Sequence, residues 1–236
     1  MTASSSPKQL LLIGASRGLG LALAEEFLKR GWHVVGTVRA GARTKLHELA
    51  EASPGRLEVE TVDITEPEQV GALLARLTGR SFDLLFVNAG VKNDDRETIA
   101  DVSTDEFVRV LVTNTLSPMR VIERLQSLVA PTGTIGVMSS GQGSVTNNER
   151  GKYEVYRASK AGLNTLMRSF AARARARDDR RTLLLMAPGW VRTDMGGSEA
   201  PLGIEDSIPR LVDTMLAQAG KGGLQYLDYL GRTVPW

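Results

Sequence analysis

Short, nearly unbroken apolar runs alternate along this chain with longer stretches whose apolar residues recur at helical spacing. Residues 8–13 are too apolar for a sheet with one wet face and predict a strand covered on both sides. The run Gly14 to Gly20 then turns into a helix that carries Leu19, Leu23 and Phe27 inward and closes at Gly31. Further strands are predicted at 33–38, 57–62, 83–87, 134–139, 182–186 and 224–227. Helices are predicted between them at 44–52, 66–77, 104–129, 153–177 and 207–219. Seven strand signals separated by helices describe a doubly wound, Rossmann-type α/β fold, because parallel neighbours need crossover connections. Helices should flank both faces of that seven-stranded parallel sheet, in a single domain spanning 1–236 with a disordered start at 1–7. The polar segments 141–152 and 193–209 follow the fifth and sixth strands, at the sheet end where such folds bind ligands.

Composition narrows the chemistry. The 236 residues are 42% hydrophobic, enough for a full core. The absence of Cys removes disulfides, thiolate catalysis and thiolate metal sites, and fits a reducing compartment. His33 and His47 are the only histidines, so a His-rich metal site is excluded and no metal is expected. Net charge is only +2, yet Arg173, Arg175, Arg177, Arg180 and Arg181 crowd one region. They complement the negative end of the long helix, and no aromatic residues interleave with them for base stacking, so no nucleic-acid partner is expected. No apolar run has membrane-spanning length and 1–7 lacks a signal-peptide core, which predicts a cytoplasmic protein with no membrane contact.

The first turn, Gly14-Ala15-Ser16-Arg17-Gly18-Leu19-Gly20, leaves a buried strand and opens a helix. Glycines let the backbone approach a pyrophosphate, and the free amides of the helix start favour anions. The same residues spell Gly14-x-Ser16-x-Gly18, the nucleophile-elbow pattern of serine hydrolases, but such a triad needs a late histidine and none follows His47. A methyltransferase would end its second strand on an acidic residue to hold ribose hydroxyls, whereas here the strand ends Thr37-Val38-Arg39. Arg39, with Arg17, can hold a 2′-phosphate through charge-assisted hydrogen bonds, which selects NADP(H) over NAD(H).

Near the start of the helix predicted at 153–177, Tyr156 and Lys160 lie four apart and share a face. Leu163, Met167 and Phe170 continue that face, so Tyr156 also reads as the polar tip of a core stripe. A nearby ammonium is expected to pull the phenol below its ordinary pKa and make it a proton donor and acceptor near neutrality.

Taken together, these motifs resemble the short-chain dehydrogenase/reductase family from Gln9 almost to Trp236. Asp63-Ile64 follows the third strand, Asn88-Ala89-Gly90 the fourth, Asn114 lies in a long helix, Ser139-Ser140 ends the fifth strand and Pro188-Gly189 follows the sixth. The resemblance implies that Tyr156 exchanges a proton with the substrate oxygen and that Ser140 hydrogen-bonds it. Lys160 would hold the nicotinamide ribose and depress the phenol pKa, and Asn114 would support a water relay. It further implies that Asp63 and Ile64 flank adenine, that Asn88 to Gly90 follow its ribose, and that Pro188, Gly189, Val191 and Thr193 pack at the nicotinamide end.

Three departures stand out: Ile13 where the family usually has Thr, Leu230 where related tails often carry Asp, and a longer interval from Ser140 to Tyr156. That interval lets Ser139, Ser140 and Ser144 compete for the serine role, and Ser140 is chosen because the family's serine ends the strand. The interval and the ending Val234-Pro235-Trp236 are most similar to the sniffer/C-factor-like carbonyl reductase branch. The implied activity is NADP(H)-dependent hydride transfer between nicotinamide and a small aldehyde, ketone or alcohol. The alternative is a cofactor-binding regulatory or signalling protein of the C-factor type with incidental turnover. Gln142, Trp190 and Met195, with a lid hinged at Gly196-Gly197, would form the substrate pocket. Ala158, Ala161, Thr165 and Ala172 offer a small-residue face for a homodimer or homotetramer through the two long helices.

Overall fold

The computed structural model describes residues 6–236, so most of the expected disordered start lies outside the described residues. Ser6 and Pro7 are exposed and belong to no regular element. Seven parallel strands form one sheet in the order β3-β2-β1-β4-β5-β6-β7. They are β1 (Gln9–Ile13), β2 (His33–Val38), β3 (Leu57–Thr61), β4 (Phe82–Val87), β5 (Val129–Met138), β6 (Thr182–Ala187) and β7 (Gly223–Asp228). The order reverses between β1 and β4, and the crevice outside the carboxyl ends of those strands is where a doubly wound sheet takes a ligand.

The helices are α1 (Gly18–Lys29), α2 (Lys45–Glu51), α3 (Pro67–Leu77), α4 (Thr104–Leu111), α5 (Ser117–Leu125), α6 (Glu154–Ala176) and α7 (Ile204–Ala217). Alternation along β1 decides which strand residues face which layer. Leu11 and Ile13 join Leu73 of α3, Ile122 of α5 and Phe170 of α6 in one core. Leu10 and Leu12 join Phe27 of α1, Leu46 of α2 and Leu211 of α7 in the other. Both faces of the sheet are therefore dry, as the unbroken apolar strands require.

Several boundaries differ from the sequence reading for identifiable reasons. The helix expected at 104–129 is two helices, α4 and α5, joined by a π turn at Val112–Leu116, and it ends in a 3-10 turn at Gln126–Leu128. β5 starts at Val129 rather than 134, because Val129 pairs with Phe82 before an irregular stretch containing Pro131 returns the ladder to register at Thr134. α7 starts at Ile204 although Pro209 lies inside it, with the Asp206 carboxylate accepting the Gly203 N–H at 3.1 Å. Tyr153 is not the first residue of α6 but its cap, with φ +56°. Three of the arginines at the end of α6 and just beyond it are spent on ion pairs: Arg173 with Glu123, Arg181 with Asp179 and Arg180 with Asp178.

Candidate active site

At the first turn Gly14 takes φ +87°, and a Cβ there would stand 2.8 Å from Ala89. Its N–H donates to the Thr37 hydroxyl at 2.9 Å, while the Ala15 N–H donates to the Thr37 carbonyl at 2.8 Å. From the end of β4, Asn88 Nδ2 donates to the Gly14 carbonyl at 2.8 Å. A Cβ on Gly20 would fall 2.0 Å from that carbonyl, so α1 starts flush against the turn. Ile13 is wholly buried, and the polar support its side chain lacks comes from Thr37, a residue that sequence reasoning missed. Gly14→Ala is expected to destabilise the fold by about 1–3 kcal/mol through its left-handed backbone alone. Crowding against Ala89 should add to that, and urea unfolding with a cofactor titration measures both effects.

Arg17 and Arg39, grouped by the sequence, point to different places. Arg39 lines a cavity of about 380 Å³ with Ser16, Thr44, Asp63 and Gln69. Arg17 is the extended residue capping α1, and its exposed side chain pairs with Asp194 at 3.0 Å. Asp63 Oδ1 accepts both the N–H (2.9 Å) and the hydroxyl (2.7 Å) of Thr65, which fixes the turn into α3. Ile64 is 6% exposed and packs in the core behind it. His47 contacts Thr44 at the start of α2 and His33 begins β2. Among the described residues no group of three or more His, Cys, Asp or Glu could hold a metal.

Asn114 sits in the π turn and is wholly buried. Its Oδ1 accepts the Val91 N–H at 2.8 Å, and its Nδ2 donates to the Val91 carbonyl at 2.7 Å and to the Ser159 hydroxyl at 3.0 Å. One amide thus ties the turn after Asn88-Ala89-Gly90 to α6. A Cβ on Gly90 would lie 3.3 Å from Asn114 Oδ1 and 3.5 Å from Lys160 Nζ, so both side chains flank that glycine.

Lys160 is 3% exposed, and no carboxylate pairs with it among the described residues. Its ammonium donates to the Met138 carbonyl at 2.9 Å and lies 5.7 Å from the centre of the Tyr156 ring. Burial pulls the lysine down to about 8. Burial also pushes the Tyr156 phenol up to about 12, opposed by a hydrogen bond with Ser140 and reinforced by the neighbouring Tyr226. The expected lowering of the phenol by the lysine is therefore corrected: burial raises it, and the ammonium is directed at a main-chain carbonyl instead.

Of the three competing serines, Ser140 is the one whose hydroxyl influences the phenol, pulling its pKa down against burial. Its Oγ accepts the Gln142 N–H at 3.1 Å, which leaves its own proton free to donate. Ser139 is committed to Asn164 Oδ1 at 2.6 Å, and Ser144 accepts the Asn147 N–H at 3.1 Å. Gln142 Oε1 is buried with no partner among the described residues, an acceptor beside Ser140.

Across the crevice, the Pro188 carbonyl accepts the Ser207 hydroxyl at 2.6 Å, and Gly189 takes φ +85° where a Cβ would strike Leu202 at 2.5 Å. Val191 is 4% exposed and bridges to Leu202. Thr193 reaches toward Gly18, within 3.9 Å of where a Cβ would sit. The Gly196-Gly197 segment is a formed turn: Gly196 N–H donates to Thr193 Oγ1 at 3.0 Å and Trp190 Nε1 to the Gly196 carbonyl at 2.7 Å. Trp190 and Met195 keep apolar surface exposed at its rim.

The family model for enoyl-(acyl carrier protein) reductases matches residues 14–213. A solved structure from Burkholderia multivorans, described as a short-chain dehydrogenase/reductase with bound NADP, is 60% identical with a TM-score of 0.95, covering 98% of this chain and 100% of that one. A carbonyl reductase from Pseudomonas aeruginosa PAO1 in complex with NADP is 34% identical with a TM-score of 0.88, covering 98% and 100%. C-signal of Myxococcus xanthus is 31% identical over 65% of this chain and 92% of its own length.

Proposed function

Because the chain belongs to the short-chain dehydrogenase/reductase family, we propose that it is an NADP(H)-dependent carbonyl reductase acting on small aldehydes or ketones. The observation that carries this reading is Lys160, a buried cation with a carbonyl but no carboxylate for company, one helical turn from a phenol. Such a lysine lowers stability, and side chains of that kind collect at working sites.

The residues present fit NADP(H). Gly14 and Gly20 let the turn close against Ala89 and the start of α1, α1 offers free amides there, and the cavity holding Ser16 and Arg39 supplies a hydroxyl and a cation for a 2′-phosphate. Asp63 and Ile64 would border the adenine end, Asn88 to Gly90 its ribose, and Pro188, Gly189, Val191 and Thr193 the nicotinamide end. When bound, the nicotinamide supplies the hydride. Ser140, with its Oγ held by the Gln142 N–H, donates a hydrogen bond to the substrate oxygen and orients it, keeping its own proton. Tyr156 is protonated at neutral pH and gives its proton to that oxygen as negative charge develops there. The ammonium of Lys160 stabilises the phenolate left behind, and Asn114 supports the relay that restores the proton by holding Val91 and Ser159 in place.

Arg39→Asp is expected to weaken NADPH binding about 10- to 100-fold, the loss of a charge-assisted hydrogen bond, with little change for NADH. Fluorescence titrations of both cofactors decide it, and equal effects would remove the NADP(H) assignment. A carbonyl panel run with NADPH and NADH in parallel tests the activity itself. The apolar rim of Trp190 and Met195 suits small uncharged carbonyls. The likeness to C-signal supports a second reading, a cofactor-binding signalling protein, and a Tyr156→Phe variant that binds cofactor yet keeps its biological effect would favour it. The outer face of α6, where Ala158, Thr165 and Ala172 are exposed beside Leu166, supports pairing of two copies into a homodimer or homotetramer. No helix among the described residues is long and apolar enough to cross a membrane.

A further inference from the structure

Behind Ser140 lies a layer that the proposed chemistry does not use. Tyr226 of β7 is 2% exposed, and its hydroxyl donates to the main-chain carbonyl of Ser140. The same carbonyl already accepts the Gly143 N–H at 2.8 Å, so the phenol is not there merely to satisfy an orphan acceptor. A phenylalanine would fill the same space. What the hydroxyl adds is a second anchor on the residue whose side chain meets Tyr156.

Tyr226 is itself held by residues 232–236, which fold back along β7. Val234 N–H donates to the Tyr226 carbonyl at 2.9 Å, and Leu227 and Thr233 form an antiparallel bridge. The Asp228 carboxylate secures the bend, accepting the Arg232 N–H at 2.9 Å and its guanidinium at 2.7 Å. The Trp236 ring packs on Tyr226 with centroids 5.4 Å apart, and the guanidinium of Arg168 on α6 lies over the Trp236 ring, 4.3 Å from its centre. The Trp236 carbonyl accepts both the N–H (3.1 Å) and the hydroxyl (2.6 Å) of Thr146, in the loop that follows Ser140.

We propose that Tyr226 is a positioning residue for Ser140, and that the Trp236 segment is the strap that seats it. The strap grips Ser140 from behind through Tyr226 and grips the following loop through Thr146, so the serine hydroxyl is set from two directions. This inference rests on the carbonyl-reductase reading and assigns Tyr226 no contact with substrate or cofactor.

The test is a double-mutant cycle with steady-state kinetics on NADPH and a carbonyl that the wild type reduces. Tyr226→Phe keeps the ring and should lower kcat about tenfold while leaving KM for NADPH unchanged, the size expected when a reacting group is slightly misplaced. In a Ser140→Ala background the same substitution should cost nothing further, because the residue it acts through is gone. Trp236→Leu should give a smaller loss that is likewise erased by Ser140→Ala, and urea unfolding confirms that each variant is folded. An equal loss in both backgrounds would make Tyr226 a plain structural residue and overturn the proposal, as would full activity of Tyr226→Phe. If Ser140→Ala itself leaves turnover intact, the reading of the site fails first, and the proposal falls with it.

Discussion

Tyr156→Phe is expected to lower kcat for carbonyl reduction about 10³-fold, within the range that a positioned proton donor contributes. The fold should be unchanged, since the ring stays and only the hydroxyl goes. Burial pushes the half-buried phenol up to about 12, so the proton is expected to be in place at neutral pH. In the variant Ser140 still orients the carbonyl, but no side chain on that wall delivers a proton, and the developing oxyanion must wait for solvent. NADPH affinity should change little, because Arg39 and the glycine turn are untouched. Single-turnover kinetics separates the two quantities. A variant that reduced the true substrate at near wild-type rate would reject the mechanism outright.

Lys160→Met should move activity and stability in opposite directions. Turnover should fall at least 100-fold, because the charge that supports the phenolate is lost. Stability should rise. Burial holds the lysine at about 8 against an ordinary 10.5, so its folded value lies below its unfolded one. The charged form therefore burdens the folded state, fully below pH 8 and progressively less until pH 10.5, where both states are neutral. The shift corresponds to about 3 kcal/mol at pH 7. Met fills similar volume without charge, so its advantage in urea unfolding should be largest at pH 7 and narrow steadily above pH 8. Tyr156 works in the other direction at higher pH: its folded value lies above its unfolded one, so stability falls as pH rises from 10 toward 12. A Lys160→Met protein less stable than wild type at pH 7 would show that the Met138 hydrogen bond outweighs the burial of charge.

Much of this molecule can be read from residue order because its strands are buried on both faces. Leu10-Leu11-Leu12-Ile13 and Leu183-Leu184-Leu185-Met186 are legible for that reason, and the glycine turn follows from its place after the first of them. Periodicity also shows that Tyr156 and Lys160 share a face. It does not show how dry that face is, which is why the direction of the phenol's pKa was misread: burial arises from β5 and the loop after it, elements distant in sequence. Thr37 and Tyr226 escaped notice for the same cause, since each acts on a partner 23 or 86 residues away. The start of β5 at Val129 is missed because the helical reading runs to 129 and the strand reading begins only at 134, after Pro131 and Gly133, although the chain is already in the sheet there.

The π turn at Val112–Leu116 has a consequence for how its two flanking helices share the work. One extra residue per turn there rotates everything downstream by about 100° relative to an unbroken α-helix. That slip in phase lets Val110 on one side and Val121, Ile122 and Leu125 on the other face the interior, while Asn114 between them looks toward Val91. Straightening the segment would force a choice between those apolar contacts and the amide clamp, so the distortion is what allows a single rod to serve both the scaffold and the cofactor crevice.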